Sequence, residues 1–369
     1  MWCRSDSMNW GRRFISDRPV MLTYLSEFLA PHWGPARLLT SYTVLATVGA
    51  LLSAILSLLV LPRVWHVLTT DKGRAHAVNA EDSIGKPVGV GLFIVLITVS
   101  VLVICLPYDP QLYFCLGALL IASCVGYLDD RKPGGLSELT LGLTDLAISL
   151  FVCVVLMNGS DAEVWLPFTS AHVTLPWWGG VLLYTPIVWL CINAVNCNDG
   201  VDGVSGTLSA VTICVLGFLL YSVVGDITNA RYLLIPYNPD AVSWALAAAV
   251  FCGAILGYLW HNAPPSAALM GDAGSRPIGL FVGMCVVATG NPATVFFVGA
   301  LLLFNGATGL AKVALMRLFG WRILSSVRFP FHDHVRKNLH WSNAQVLLRF
   351  LLIHVASIWL LVILLIKVR

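Results

Sequence analysis

The chain has 369 residues, of which 58% are hydrophobic and 11% charged, with a mean hydropathy of +0.82. Soluble domains carry about 25% charged residues, so the composition excludes a soluble globule and points to an integral membrane protein. A formal charge of +3 is too small for a nucleic-acid binder, and none of the ten cysteines forms a Cys-x-x-Cys pair, so they read as small buried hydrophobes.

Residues 1–20 form a polar extension with Arg4, Arg12, Arg13 and Arg18, and no apolar run follows closely enough to make an export signal. A single membrane domain then occupies 21–369. A helix needs about twenty apolar residues to cross ~30 Å of hydrocarbon. Runs of this kind fall near 38–61, 88–106, 111–128, 139–157, 180–197, 204–224, 242–260, 277–290, 294–316 and 346–366, the eighth being the shortest. The expected fold is therefore all-α, with ten transmembrane helices. The loop 158–179 holds two β-prone segments, Val-Trp-Leu-Pro-Phe and Val-Thr-Leu-Pro-Trp, that can pair as a small hairpin.

Ten spans place both termini on one side. The alternate loops 62–87, 129–138, 198–203, 261–276 and 317–345 hold twelve Lys/Arg, among them Lys72, Lys86, Lys132, Arg276 and Arg328. The opposite loops hold only Arg231. The imbalance assigns the first set to the cytoplasm and the termini to the outside.

The polar motifs collect in those basic loops. Asp129 and Asp130 end the apolar run Leu116–Leu128. Two carboxylates at a membrane border are costly. They can hold a metal, act as a base, or simply stop a helix. Asn193, Asn196, Asn198, Asp199 and Asp202 crowd the next motif, with Gly200, Gly203 and Gly206 allowing close backbone approach. A capped turn would need one such residue, not five. In the third motif, which includes His261 and Asn262, Asp272 lies between Gly271 and Gly274. It reads either as a metal ligand facing a phosphate or as a helix cap. The fourth, Phe329–Lys337, gathers His332, His334, Arg336 and Lys337. Such a cluster binds phosphate groups or anionic lipid. Acidic groups for Mg²⁺, basic groups for phosphate and adjoining hydrocarbon suggest phosphoryl chemistry on a lipid carrier. No glycine-rich phosphate loop with a lysine is present, which argues against ATP hydrolysis.

Asp-Asp after a span, Asn-Ala-Val-Asn-x-x-Asp-Gly-x-Asp-Gly and Met-Gly-Asp-x-Gly-Ser resemble, in this order, the polyprenyl-phosphate N-acetylhexosamine-1-phosphate transferases. Pro330-Phe-His-Asp-His, Gln345-Val-Leu-Leu-Arg-Phe350 and Leu61-Pro-Arg63 look like the phospho-N-acetylmuramoyl-pentapeptide transferase branch. That resemblance implies a ten-helix protein of the bacterial cytoplasmic (inner) membrane, usually a homodimer. It implies transfer of phospho-MurNAc-pentapeptide from UDP-MurNAc-pentapeptide to undecaprenyl phosphate, with Mg²⁺ as cofactor, giving lipid I and UMP. By position, Asp129, Asp130 and Asp272 are then catalytic, with Asp272 the Mg²⁺ ligand. Asn196, Asp199, Asp202, Asn262, His332 and His334 are substrate-binding.

Several positions depart from the pattern. Asp333 replaces a middle histidine, and two basic positions are lost, near Gly85–Gly91 and at Leu141. Lys86, Lys132 and Arg276 are the candidates to restore that charge, with Lys132 assigned to substrate binding. Two other readings are a relative using a different UDP-N-acetylhexosamine, and an inactive lipid-binding paralogue or transporter.

Overall fold

The computed structural model describes residues 21–73 and 83–365. The polar extension 1–20 and Arg74 lie outside the described residues. The chain opens with α1 (Met21–Leu29) and α2 (Tyr42–Val64), then a two-residue ribbon of β1 (Thr69–Thr70) and β2 (Pro87–Val88). It continues through α3 (Gly91–Cys105), α4 (Pro110–Arg131) and α5 (Glu138–Met157). Next come β3 (Ala162–Trp165), β4 (His172–Leu175), α6 (Trp177–Asn198), α7 (Val204–Leu219), α8 (Ile227–Tyr232) and α9 (Ala241–Asn262). The last elements are α10 (Asp272–Ala288), α11 (Thr294–Val298), α12 (Ala300–Phe319), α13 (Phe331–Asn338), α14 (Asn343–Ile358) and α15 (Leu361–Leu365).

Local chemistry explains where the helices start. Asp109 accepts from the Gln111 amide, with Pro110 at the first helical position of α4. Ser137 accepts from the Thr140 amide to start α5, and Ser342 and Gln345 cap α14 reciprocally.

Eight of the ten apolar runs fall on one main helix each, and two are divided between two helices. Among the described residues, seven helices are long and apolar enough to cross a membrane: α2 with its 3₁₀ extension, α4, α5, α6, α7 with its continuation to Val224, α9 and α12. The apolar α3 and α14 are shorter. Three expected boundaries differ. The run near 277–290 begins at Asp272, because a partner outside the helix caps its first turn, as described below. The run 294–316 breaks at Gly299 into α11 and α12, and the last run breaks after Ile358. The nine cysteines among the described residues are free thiols. Five are buried as expected, but Cys124 and Cys214 are exposed because they sit on the outward faces of α4 and α7.

The core is built on α10. Every residue from Asp272 to Val287 is buried, and the helix packs against α6, α4, α7 and α3. Loop contacts gather near the two ends of α10. At one end Val88 bridges to Leu269, and the Gly203 amide donates to Asn262 Oδ1 at 2.8 Å. At the other, the expected hairpin forms: β3 and β4 pair antiparallel, Ala162 opposite Leu175 and Trp165 opposite His172. Trp165 Nε1 donates to the Thr289 carbonyl at 2.7 Å and fastens that hairpin to the far end of α10.

Gly126 lets α4 touch the main chain at the start of α10. A Cβ at this position would lie 2.2 Å from the Asp272 carbonyl oxygen, whereas one at Gly117, also on α4, would meet nothing within 4 Å. Gly126→Ala is expected to cost about 1–3 kcal/mol through overpacking, and Gly117→Ala to cost no stability. Thermal unfolding of the two variants in detergent checks the contrast.

Candidate active site

The site starts from the C-terminal turn of α4. Asp130 Oδ1 accepts from the Asp272 amide, and Oδ2 from the Ala273 amide, both at 3.0 Å. These are orphan donors at the N-terminus of α10, where a carboxylate is favoured both by hydrogen bonding and by the helix dipole. Gly271 precedes them with φ +65°, and a Cβ there would lie 2.3 Å from Asp130 Oδ2, so the contact requires glycine. Ser123 Oγ adds a hydrogen bond to the Ala273 carbonyl at 2.8 Å. Asp272 is thus the first residue of the helix, not its cap.

One residue earlier on α4, Asp129 Oδ1 accepts from the Leu136 amide at 2.6 Å, folding the loop 132–136 back over it. Oxygens of Asp129, Asp130 and Asp272 lie within 4.8 Å of one another. Asp272 Oδ1 accepts from Asn196 Nδ2 at 2.9 Å, and Asn196 also donates to Ser275 Oγ at 3.0 Å. Asp272 Oδ2 accepts from Arg276 Nε at 2.8 Å. Three carboxylates converging on one point form a hard oxygen donor set that fits Mg²⁺.

These residues form the floor of a cavity of about 1780 Å³. Lys72, Arg131, Lys132, Lys312, Arg317 and Arg328 line its sides. Leu139, Leu143, Leu146 and Val313, all exposed on apolar helices, line another wall. The cavity therefore joins a basic polar mouth to a hydrocarbon-facing groove, with the carboxylates between them.

Five of the ten expected site residues line this cavity: Asp129, Asp130, Asp272, Asn196 and Lys132. The other five do not. Asp199 terminates α6. Asp202 accepts from the Ser266 hydroxyl at 2.8 Å and faces Lys86 Nζ at 3.7 Å. Asn262 spends both ends of its amide on the chain, accepting from the Gly203 amide and donating to the Ala268 carbonyl, each at 2.8 Å. His332 is 2% exposed; its Nδ1 lies 3.0 Å from Asn305 Nδ2, and its amide donates to Asn305 Oδ1 at 2.8 Å. Asn305 reaches Asn198 in turn, tying α13 through α12 to the end of α6. His334 stacks on Phe331 and accepts from the Arg328 amide at 3.3 Å. Of the three candidate replacement cations, Lys132 stands exposed on the cavity wall, Lys86 serves Asp202, and Arg276 is buried against Asp272.

Sequence reasoning missed Asp145 and Asn305. Asp145 is 2% exposed and accepts from Arg276 Nη1; Asn305 is fully buried. The available signal was a polar residue in mid-span, which is costly in hydrocarbon without a partner.

Residues 112–290 match the family model for glycosyl transferase family 4. That stretch runs from α4 to just past α10 and resembles glycosyl transferases. The chain is 40% identical over 348 residues to the phospho-N-acetylmuramoyl-pentapeptide-transferase of Treponema pallidum (strain Nichols), covering 92% of this chain and 94% of the relative. It is 28% identical over 341 residues to the protein of that name from Bartonella quintana (strain Toulouse), covering 88% and 94% of the two chains. This chain belongs to the phospho-N-acetylmuramoyl-pentapeptide-transferase family.

Burial, with Arg336 nearby, pushes the His332 imidazole down to about 3. Since its folded value lies below the unfolded one near 6.5, the neutral ring's contribution to stability is complete above pH 6.5. It is lost as pH falls from 6.5 toward 3, because the unfolded chain takes up the proton first. Between pH 7 and 5 this loss is about 2 kcal/mol. His332→Gln is expected to remove that slope, read as a smaller pH dependence of unfolding over the same interval.

Proposed function

We propose that the protein transfers phospho-MurNAc-pentapeptide from UDP-MurNAc-pentapeptide to undecaprenyl phosphate, giving lipid I and UMP. The observation that carries this reading is the three-carboxylate floor between a basic mouth and an apolar groove. A water-soluble diphosphate donor and a lipid phosphate can meet there from opposite sides. The family relationship supports the same chemistry.

The acceptor's prenyl chain lies along Leu139, Leu143, Leu146 and Val313, bringing its phosphate to Asp129. Asp129 orients that phosphate or takes its proton. Asp130 holds the start of α10, and through it Asp272, at a fixed distance from Asp129. Lys132 and the cations at the mouth receive the diphosphate. Asp129, Asp130 and Asp272 would hold Mg²⁺, with Asp272 as the principal ligand. A divalent ion held by them would supply charge neutralisation for the diphosphate. Asp199, Asp202 and Asn262 shape the nucleotide-side loop, and His332 and His334 steady the neighbouring helix α13.

Ten spans, with α3, α10 and α14 completing the set, put the basic loops and the site in the cytoplasm and both termini outside. The asymmetry of twelve basic residues against one supports this orientation. The membrane is the bacterial cytoplasmic membrane, and a second copy of the chain is the expected partner.

Purified protein given undecaprenyl phosphate and UDP-MurNAc-pentapeptide is expected to release UMP. Chelation should stop this and added Mg²⁺ restore it. Asp272→Asn should lower turnover by about 10²-fold or more, the several kcal/mol a metal-held charge supplies. UMP release with UDP-GlcNAc instead of the MurNAc donor would reject the assigned substrate.

A further inference from the structure

Asp145 is a carboxylate inside an apolar span, and the proposed transfer leaves it without a role. Its carboxylate accepts from Arg276, itself 4% exposed. Arg276 lies one turn beyond Asp272 on α10 and directs both Nε and Nη2 at the same oxygen, Asp272 Oδ2, each at 2.8 Å. An arginine beside a carboxylate usually closes as a fork, with two nitrogens on two oxygens. Here the third nitrogen, Nη1, is held by Asp145 on the other side. Asp272 Oδ1 is left to Asn196.

A carboxylate offers about four lone-pair directions. Arg276 Nε hydrogen-bonds Oδ2 and Nη2 crowds the same oxygen, while Asn196 takes one direction on Oδ1, so the open direction away from the guanidinium is the second one on Oδ1. Closing the fork would cover it. Stability alone gives no reason for Asp145: Asp272 already pairs with Arg276, and a second buried carboxylate leaves a net negative charge in the bundle at a desolvation cost.

We propose that Asp145 is a positioning residue for the transfer: by tethering the Arg276 guanidinium, it holds the fork off Asp272 Oδ1 and keeps that oxygen available to a divalent cation. Arg276 contributes direction, locking the Asp272 rotamer through Oδ2. Asp145 contributes restraint, dividing the guanidinium's charge between two acceptors. This rests on the reading of Asp272 as a metal ligand.

The test is binding of Mn²⁺ alone to purified protein without substrates, followed by the resonance of the free ion. Wild type binds. Asp145→Asn is expected to weaken binding about tenfold, the size of effect seen when a residue supporting a metal ligand is lost. Asp145→Asn/Arg276→Leu removes the competing cation together with its tether and is expected to bind within about threefold of wild type. Its turnover stays low, with KM for the UDP donor little changed, because Asp272 has lost its lock. Unchanged Mn²⁺ affinity in Asp145→Asn, whatever its melting temperature, overturns the proposal. So does loss of Mn²⁺ binding in a double variant that still melts cooperatively, which also decides the matter if the single variant does not fold. Failure of wild type to bind Mn²⁺ removes the metal reading itself, and this inference with it.

Discussion

The grip of Asp130 on the first two amides of α10 is the contact on which the site depends. It solves two problems at once. A helix that begins inside the bundle has unsatisfied N–H groups, and a carboxylate at the end of a membrane span needs partners. Each supplies what the other lacks. Because α4 carries Asp129 next to Asp130, and α10 begins with Asp272, the same contact fixes the separation of the other two carboxylates. The close approach needs the missing side chains of Gly126 and Gly271, so sequence, packing and site geometry are linked at one point.

The surroundings turn this cluster into a place for chemistry between two phases. Exposed apolar residues of α5 and α12 line the same cavity as Lys72, Arg131, Lys132, Lys312, Arg317 and Arg328. Two carboxylates are answered by specific neighbours: Asp272 by Asn196 and Arg276 at the floor, and Asp202 by Lys86 and Ser266 outside the cavity. Such restraint matters for phosphoryl transfer, in which positioning and charge neutralisation do most of the work.

Much of this was legible in the sequence because a bilayer leaves few options. Backbone groups in hydrocarbon must pair internally, so long apolar runs became helices, and the hairpin at 162–175 followed from its β-prone segments. The aspartate pair and Asp272 could be found because acidic residues at span ends are conspicuous. Their mutual distance could not, since Asp130 and Asp272 are brought together by backbone contacts between distant segments. Asn262 and His332 illustrate the opposite limit. Residue type marked them as binding groups, yet their hydrogen bonds are made inside the protein, with Gly203, Ala268 and Asn305. Arg276 looked like a spare positive charge; only the fold shows that two carboxylates hold it.

The Asp130 contact also bears on how such a floor can change over generations. Its donors are main-chain amides, which every amino acid except proline supplies. A change at Ala273 other than to proline keeps the donor itself and acts only through the space it fills in a fully buried site, whereas a single base change at Asp130 removes the acceptor. Both amides are already taken by the Asp130 carboxylate, so any molecule that reaches the floor meets it through carboxylate oxygens, whose identity a single substitution can change.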